Sequence, residues 1–292
     1  MLKSSRPKIG LIGLGLMGHG IGRNLLKQGF TLAVLGNVNR KPVDSLVQLG
    51  ATDGRNVATL VRNSDMIILC VNGSPQVESL IYDADGILAN ARAGQFVIDC
   101  STSEPRSSAG INKDLADVGV TFVDAPLGRT PVEAEAGTLN TMVGASPSVL
   151  ENVRPVLEAF CENVIHVGDV LSAQKIKLIN NFAVVGVVAL ITEALRACDR
   201  VGVSRTALYD LMSKGPLKCG LLQMTAEQIL KDNLAGMKFT IKNAQKDITY
   251  FNTMVEGQSG ASSLSSDLAR VLDLAVDQGL GGDFLSALVN TK

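Results

Sequence analysis

The chain has 292 residues, 46% of them hydrophobic, and a formal net charge of −1. This length accommodates two domains with a large core, and the apolar content excludes a disordered chain. The balanced charge, without a long charged run, argues against nucleic acid or an anionic membrane as the main partner.

The stretch up to Lys8 reads as a short polar tail entering a strand, without the apolar segment of a signal peptide. The strand from Lys8 to Ile12 runs into Gly13, Gly15 and Gly18, and a helical pattern follows from Ile21 to Gln28. Strand, G-x-G-x-x-G and helix together form the dinucleotide fingerprint. Gly13 allows the tight turn, Gly15 lets the backbone approach a pyrophosphate, and Gly18 lets helix and strand pack closely. The turn Gly13, Leu14, Gly15, Leu16, Met17 and Gly18 is therefore expected to bind the cofactor. The helix N-terminus offers N–H groups to its phosphates.

A second strand covers 31–35, and the loop after it chooses between NAD and NADP. An acid there would bind the ribose 2′-hydroxyl of NAD. This loop carries Asn37, Asn39 and Arg40, with no acid before Asp44. The two amides and the guanidinium suit a 2′-phosphate, which favours NADP(H), with NAD(H) as the other option. Arg40 also reads as a plain exposed arginine.

Buried-type strands follow at 66–71 and 96–99, and stretches 120–126, 138–143 and 164–167 continue the sheet. Loops 71–75, 100–105 and 127–131 stand at strand ends, where such sheets bind ligands. Each also reads as an ordinary turn. After Asp169 the pattern becomes helical, at 173–201, 204–214, 221–232, 242–258 and 263–278. The expected fold class is α/β: an N-terminal doubly wound Rossmann domain (1–168), then an all-α domain (169–292), joined by a long central helix. The segment from Ala183 to Leu190 is apolar almost all round, so burial on every side is expected, part of it by another subunit. The longest apolar run, Phe182 to Ile191, is shorter than the roughly 20 residues that span a bilayer.

On the long helix Lys177 and Asn181 are four apart and share a face. Such a pair can hold one substrate oxygen, and equally reads as a solvated lysine with a capping asparagine. Rival proton donors are few. His19 lies in the phosphate turn, His166 ends a strand, and Tyr82, Tyr209 and Tyr250 lie outside the motifs. Neither histidine has ligand-like neighbours, so no metal is expected. The five cysteines form no C-x-x-C and read as reduced core residues of a cytoplasmic protein.

Five separated motifs occur in order: Gly10-Leu-Ile-Gly-Leu-Gly-Leu-Met-Gly18, Asp99-Cys-Ser-Thr102, Asp124-Ala-Pro126 with Gly137-Thr-Leu139, Lys177-Leu-Ile-Asn-Asn181, and Lys246-Asp247. Through them nearly the whole chain resembles the β-hydroxyacid dehydrogenase family. The resemblance implies an NAD(P)-dependent oxidoreductase that forms a homodimer or homotetramer. It implies that Lys177 is the catalytic lysine, with Asn181 beside it. It also implies that Thr102 and Lys246 touch the cofactor and that Val71 and Asn72 lie along it.

One loop departs from the family. Most members carry Ser-Gly-Gly where the substrate acid group binds, and this chain has Gly128, Arg129 and Thr130. A guanidinium there suits a carboxylate or sulfonate. It also reads as a salt bridge to Glu133 or Glu135. The Gly-Arg-Thr spelling is similar to the sulfolactaldehyde and succinic semialdehyde reductase branch. That branch resembles an NAD user with an aspartate near position 37, where this chain has Asn37.

The implied reaction is the reversible reduction of a short acid-bearing aldehyde to a hydroxyacid. Lys177 would be the general acid/base, its pKa lowered by burial. Ser101, Gly128, Arg129 and Thr130 would hold the acid group, with Lys218 as a further cation. The alternatives are a 3-hydroxyisobutyrate or tartronate semialdehyde type of dehydrogenase, and a non-catalytic NADP-binding scaffold. The intact Lys177/Asn181 pair argues against the scaffold.

Overall fold

The computed structural model describes residues 6–256 and 263–292. The start of the polar tail, and the last two residues of the helix expected at 242–258, lie outside them. The chain forms two compact units, one ending at Lys177 and one beginning at Leu178.

The first unit opens with β1 (Ile9–Ile12), α1 (Gly18–Lys27), β2 (Leu32–Leu35), α2 (Lys41–Gln48), β3 (Thr52–Asp53), α3 (Val57–Arg62) and β4 (Met66–Leu69). It continues through α4 (Ser74–Tyr82), α5 (Ile87–Asn90), β5 (Phe96–Asp99), α6 (Pro105–Asp117), β6 (Thr121–Asp124) and β7 (Leu127–Gly128). The last elements of the sheet region are α7 (Pro131–Ala136), β8 (Leu139–Gly144), α8 (Pro147–Leu157) and β9 (Cys161–Gly168). Among the described residues the strands form one sheet in the order β3-β2-β1-β4-β5-β6-β8-β7, with β9 on β8. The first six strands pair in parallel. Strand β8 runs antiparallel to β6 and β7 and parallel to β9.

Both faces of this sheet are covered, and the period-two alternation of side chains says by what. Leu11, Ile68, Ile98 and Val123 pack on one side with Ile21 and Leu25 of α1, Leu46 of α2 and Val153 of α8. Ile12, Ile67, Val97 and Phe122 pack on the other with Leu60 of α3, Val77 of α4 and Leu115 of α6. The chain winds outward in two directions from β1 and β4, and such sheets bind ligands beyond the C-terminal strand ends at that point.

Helix α9 (Ser172–Val201) begins in the first unit and continues into the second. Then come α10 (Arg205–Met212), α11 (Gly220–Leu222) passing into a π-helical turn at Gln223–Glu227, α12 (Ile241–Val255), α13 (Ser263–Asp277) and a 3-10 turn at Leu285–Asn290. Val185 and Val188 of α9 pack with Ile241 and Ile248 of α12 and Leu272 of α13. Ile191 and Leu195 pack with Leu222 and Ile229.

Within the single chain the 183–190 segment of α9, expected to be buried on every side with part of the burial supplied by another subunit, is only partly buried. Leu190 is 66% exposed, and Ile176 and Ile179 are also on the surface. The buried residues recur at helical spacing and form a stripe, so the apolar residues between them point outward. By length and mean hydropathy (1.9) α9 is also able to cross a bilayer, although Val185, Val188, Ile191 and Leu195 are taken up by protein cores.

Candidate active site

The glycine turn is built by contacts that tolerate no side chain. Gly13 has φ +95°, and a Cβ there would lie 2.3 Å from the Cys70 carbonyl oxygen. At Gly18 it would lie 1.9 Å from the Gly13 carbonyl oxygen. Gly15 differs: a Cβ there would meet nothing within 4 Å. The protein itself gives Gly15 no reason to be glycine, whereas a pyrophosphate resting on the backbone would. Helix α1 also starts without a side-chain cap, which leaves its positive end to a ligand. Leu14 is buried, Met17 is half-buried, and Leu16 is 72% exposed. These residues fit a dinucleotide.

At the adenosine side, Asn37 and Asn39 are exposed, and the Asn39 side chain accepts from the Lys41 amide. Arg40 pairs with Asp53 at the end of β3 and lies 3.9 Å from Asp44. The Asp53 carboxylate is held below its ordinary range by hydrogen bonds from the Arg55 amide and Arg40. Sequence reading missed Asp53, because strand pairing rather than chain proximity brings it to this loop.

At the ends of β5 and β6 stands a cluster that the motifs contain but do not explain. Asp99 and Asp124 are register partners, and both are fully buried. The Asp99 carboxylate accepts from the Ser101 amide (2.9 Å) and the Ser103 hydroxyl (2.6 Å). The Asp124 carboxylate accepts from the Leu171 amide (2.7 Å) and the Gln174 amide (3.0 Å). Burial raises both acids, Asp99 to about 6. The predicted substrate residue Ser101 is 3% exposed, and its hydroxyl accepts from the Val71 amide, tying loop 100–104 to the loop after β4. Thr102 is half-buried and Asn72 exposed on those loops.

The Gly128 to Thr130 loop is held differently. Arg129 has φ +75°, and its guanidinium donates to the Thr138 carbonyl and to Glu162. Its ion-pair partner is thus Glu162 on β9, not Glu133 or Glu135. Thr130 caps α7, and Glu133 closes the capping box through the Thr130 amide and hydroxyl. Glu135 instead pairs with His19 (2.7 Å) and Arg23 (3.1 Å) of α1. The helix after the Gly128 to Thr130 loop is thereby fastened to the helix after the glycine turn.

Lys177 stands half-buried on α9, while Lys175 is exposed. In the second unit Asn181 is buried and donates to Asp247 (2.6 Å), which also pairs with Lys246 at 3.0 Å. Asn181 and Lys246 are thus joined through Asp247. Lys218 is exposed. His166 bonds the Ala145 carbonyl, and Tyr82 and Tyr209 bond Asp114 and Glu227. Among the described residues no metal-binding group of His, Cys, Asp and Glu occurs.

Known proteins match this framework along its length. The family profile described as the NAD binding domain of 6-phosphogluconate dehydrogenase covers residues 8–168. That described as NAD-binding of NADP-dependent 3-hydroxyisobutyrate dehydrogenase covers 172–291. The chain is 30% identical to 2-(hydroxymethyl)glutarate dehydrogenase of Eubacterium barkeri, over 97% of this chain and 93% of that protein. It is 35% identical to NAD-dependent L-serine dehydrogenase of Pseudomonas aeruginosa, over 71% and 69%. The crystal structure of Mycobacterium tuberculosis 3-hydroxyisobutyrate dehydrogenase with L-serine has the same fold, with TM-score 0.87, 24% identity and 98% of each chain covered. The protein belongs to the β-hydroxyacid dehydrogenase family of NAD(P)-dependent oxidoreductases.

Proposed function

We propose that the protein reversibly reduces a short aldehyde bearing an acid group to the hydroxyacid, with NADP(H) as cofactor and Lys177 as general acid/base. The observation that carries this reading is Lys177 itself, half-buried on α9 five residues after the helix begins. The Gly13 to Gly18 turn, with Val71, Asn72, Thr102 and Lys246, would hold the cofactor, which would supply the hydride when bound. Lys177 gives a proton to the carbonyl oxygen in reduction and removes it in oxidation, and while charged it stabilises the alkoxide. Asn181, its amide nitrogen on Asp247, orients the lysine or a substrate oxygen. The acid group falls to Gly128, Arg129 and Thr130, with Ser101 fixing the neighbouring loop.

The relatives support this substrate class. The compounds named for two of them, 2-(hydroxymethyl)glutarate and L-serine, each carry a hydroxymethyl group and a carboxylate. Oxidising that hydroxymethyl gives an acid-bearing aldehyde. The NADP preference rests on Arg40 and on the lack of an acid between Asn37 and Arg40, and a 2′-phosphate must compete with Asp53 for the guanidinium. Arg129 supports succinic semialdehyde or sulfolactaldehyde as the substrate. Its pairing with Glu162 favours a second reading, a 3-hydroxyisobutyrate or tartronate semialdehyde type in which Gly128 and Thr130 hold the acid. The exposed apolar residues of α9 support a homodimer or homotetramer, and we place the protein in the cytoplasm.

The test is steady-state reduction of succinic semialdehyde, sulfolactaldehyde, tartronate semialdehyde and methylmalonate semialdehyde (the aldehyde of 3-hydroxyisobutyrate) with NADPH and NADH, by wild type and Lys177→Ala. The variant is expected to lose about 10³-fold in kcat, with the cofactor KM within twofold of wild type. Normal turnover by Lys177→Ala removes the lysine from the mechanism. Cofactor binding without turnover of any aldehyde by the wild type favours the scaffold.

A further inference from the structure

The first turn of α9 is attached to the sheet by a device that the reaction as described does not use. Leu171, just before the helix, has φ +76°, a left-handed conformation that side chains rarely adopt. Its amide donates to one oxygen of Asp124, and the Gln174 amide donates to the other. Asp124 lies 47 residues before Leu171. A carboxylate at the end of a central strand thus does the work that a neighbouring serine or aspartate does in an ordinary N-cap. It also places negative charge at the positive end of the helix.

The side chain of Gln174 completes the attachment. Its oxygen accepts from the Ser103 amide (3.0 Å), and its nitrogen donates to the Ser101 carbonyl (2.9 Å) and points to Asp99 at 3.5 Å. Gln174 is fully buried. There is no slack behind it: a Cβ on Gly144 would lie 2.3 Å from an Asp124 oxygen, so that carboxylate is walled in. Three residues after Gln174, on the same side of the helix, comes Lys177.

We propose that Asp124 and Gln174 are positioning residues for Lys177: Asp124 fixes the start of α9 against the sheet, and the Gln174 amide locks the turn before Lys177 to the loop that carries Ser101, Thr102 and Ser103. The lysine and the cofactor-side loop are thereby held in one frame. Neither residue touches substrate. This proposal rests on the assignment of Lys177 as proton donor, and a misplacement of about 1 Å at such a group costs about 10²-fold in rate.

The test uses the full-length protein with succinic semialdehyde and the preferred cofactor. Asp124→Asn replaces one accepting oxygen by a donor facing an amide. Its kcat is expected to fall 10-fold or more, with the cofactor KM within twofold, and amide hydrogen exchange is expected to rise in the segment 171–178. Gln174→Met, which keeps size and removes the amide, is expected to fall about 5-fold with the same split, and it decides the matter if Asp124→Asn does not fold. Unchanged kcat in these variants, with Lys177→Ala inactive, overturns the clamp and leaves the lysine reading intact. Full activity of Lys177→Ala overturns the lysine reading and the clamp with it. If the wild type does not reduce succinic semialdehyde, hydrogen exchange decides alone, and unchanged exchange at 171–178 overturns the clamp. Equal losses in kcat and in cofactor affinity indicate a general structural role and also overturn it.

Discussion

Two sets of groups in the first unit differ in what surrounds them. Gly13, Asp99, Asp124 and Gln174 are walled in by the chain's own atoms. Gly15, Arg40 and Arg129 stand at the rim, next to open space or to a partly exposed carboxylate. The inner set has no room for a ligand and serves to hold loops and a helix in place. The outer set holds the residues proposed to meet the cofactor and the substrate. Residues of one motif thus divide by surroundings, as Gly13 and Gly15 do two positions apart.

The largest test of this division is a pair of alanines. Gly13→Ala is expected to cost several kcal/mol of stability, about 3 or more, because the methyl meets the Cys70 carbonyl and the backbone is left-handed. Gly15→Ala is expected to leave the urea midpoint nearly unchanged and to raise the cofactor KM about tenfold or more. If both variants lose equal stability, the division fails at its clearest point.

Next in size is the pH dependence carried by Asp99. Its carboxyl titrates near 6 in the folded protein against an ordinary 3.8, because burial disfavours the charge. The folded state therefore holds a proton that the unfolded chain has lost, and stability falls as pH rises between about 4 and 6, on the order of 3 kcal/mol in all. Above that window the contribution is flat. The stability difference between wild type and Asp99→Asn should shrink or reverse by this amount from pH 4 to pH 7 in urea titrations. A constant difference would mean that Asp99 is not buried as described.

The smallest effects belong to the rim. The Arg129–Glu162 pair is partly exposed, so Glu162→Gln should change stability by less than about 1 kcal/mol. The same substitution frees the guanidinium and is expected to lower KM for an acid-bearing aldehyde two- to fivefold. Arg129→Ala is expected to raise it about tenfold. If neither variant alters KM, Arg129 is a surface ion pair and the second reading of the substrate gains.

Much of this was legible in the sequence because it is written locally. The glycine turn, the strands of the nucleotide-binding half and the Lys177 face of α9 each depend on residues a few positions apart. What escaped depends on pairing across the sheet. Arg40 meets Asp53 because β3 joins the edge of β2, and Arg129 meets Glu162 because β9 lies beside β8. Asp124 reaches Leu171 and Gln174 only once β6 is seated in the sheet. The burial of Asp99 and Asp124 was hinted at by acids closing otherwise apolar strands. Whether Leu190 meets water or another chain was not legible, because an all-round apolar helix looks the same in sequence in either case.

The register of β5 and β6 has a consequence for folding. Side chains along a strand alternate between faces, so slipping β6 by one residue would turn Asp124 into the opposite, apolar side of the sheet. The slipped chain would bury a carboxylate without donors and leave α9 without its cap, a double penalty for a single misstep. Asp124 therefore penalises a misregistered sheet. A sheet settled out of step would lose the Leu171 and Gln174 attachments at the start of the helix that bears the lysine.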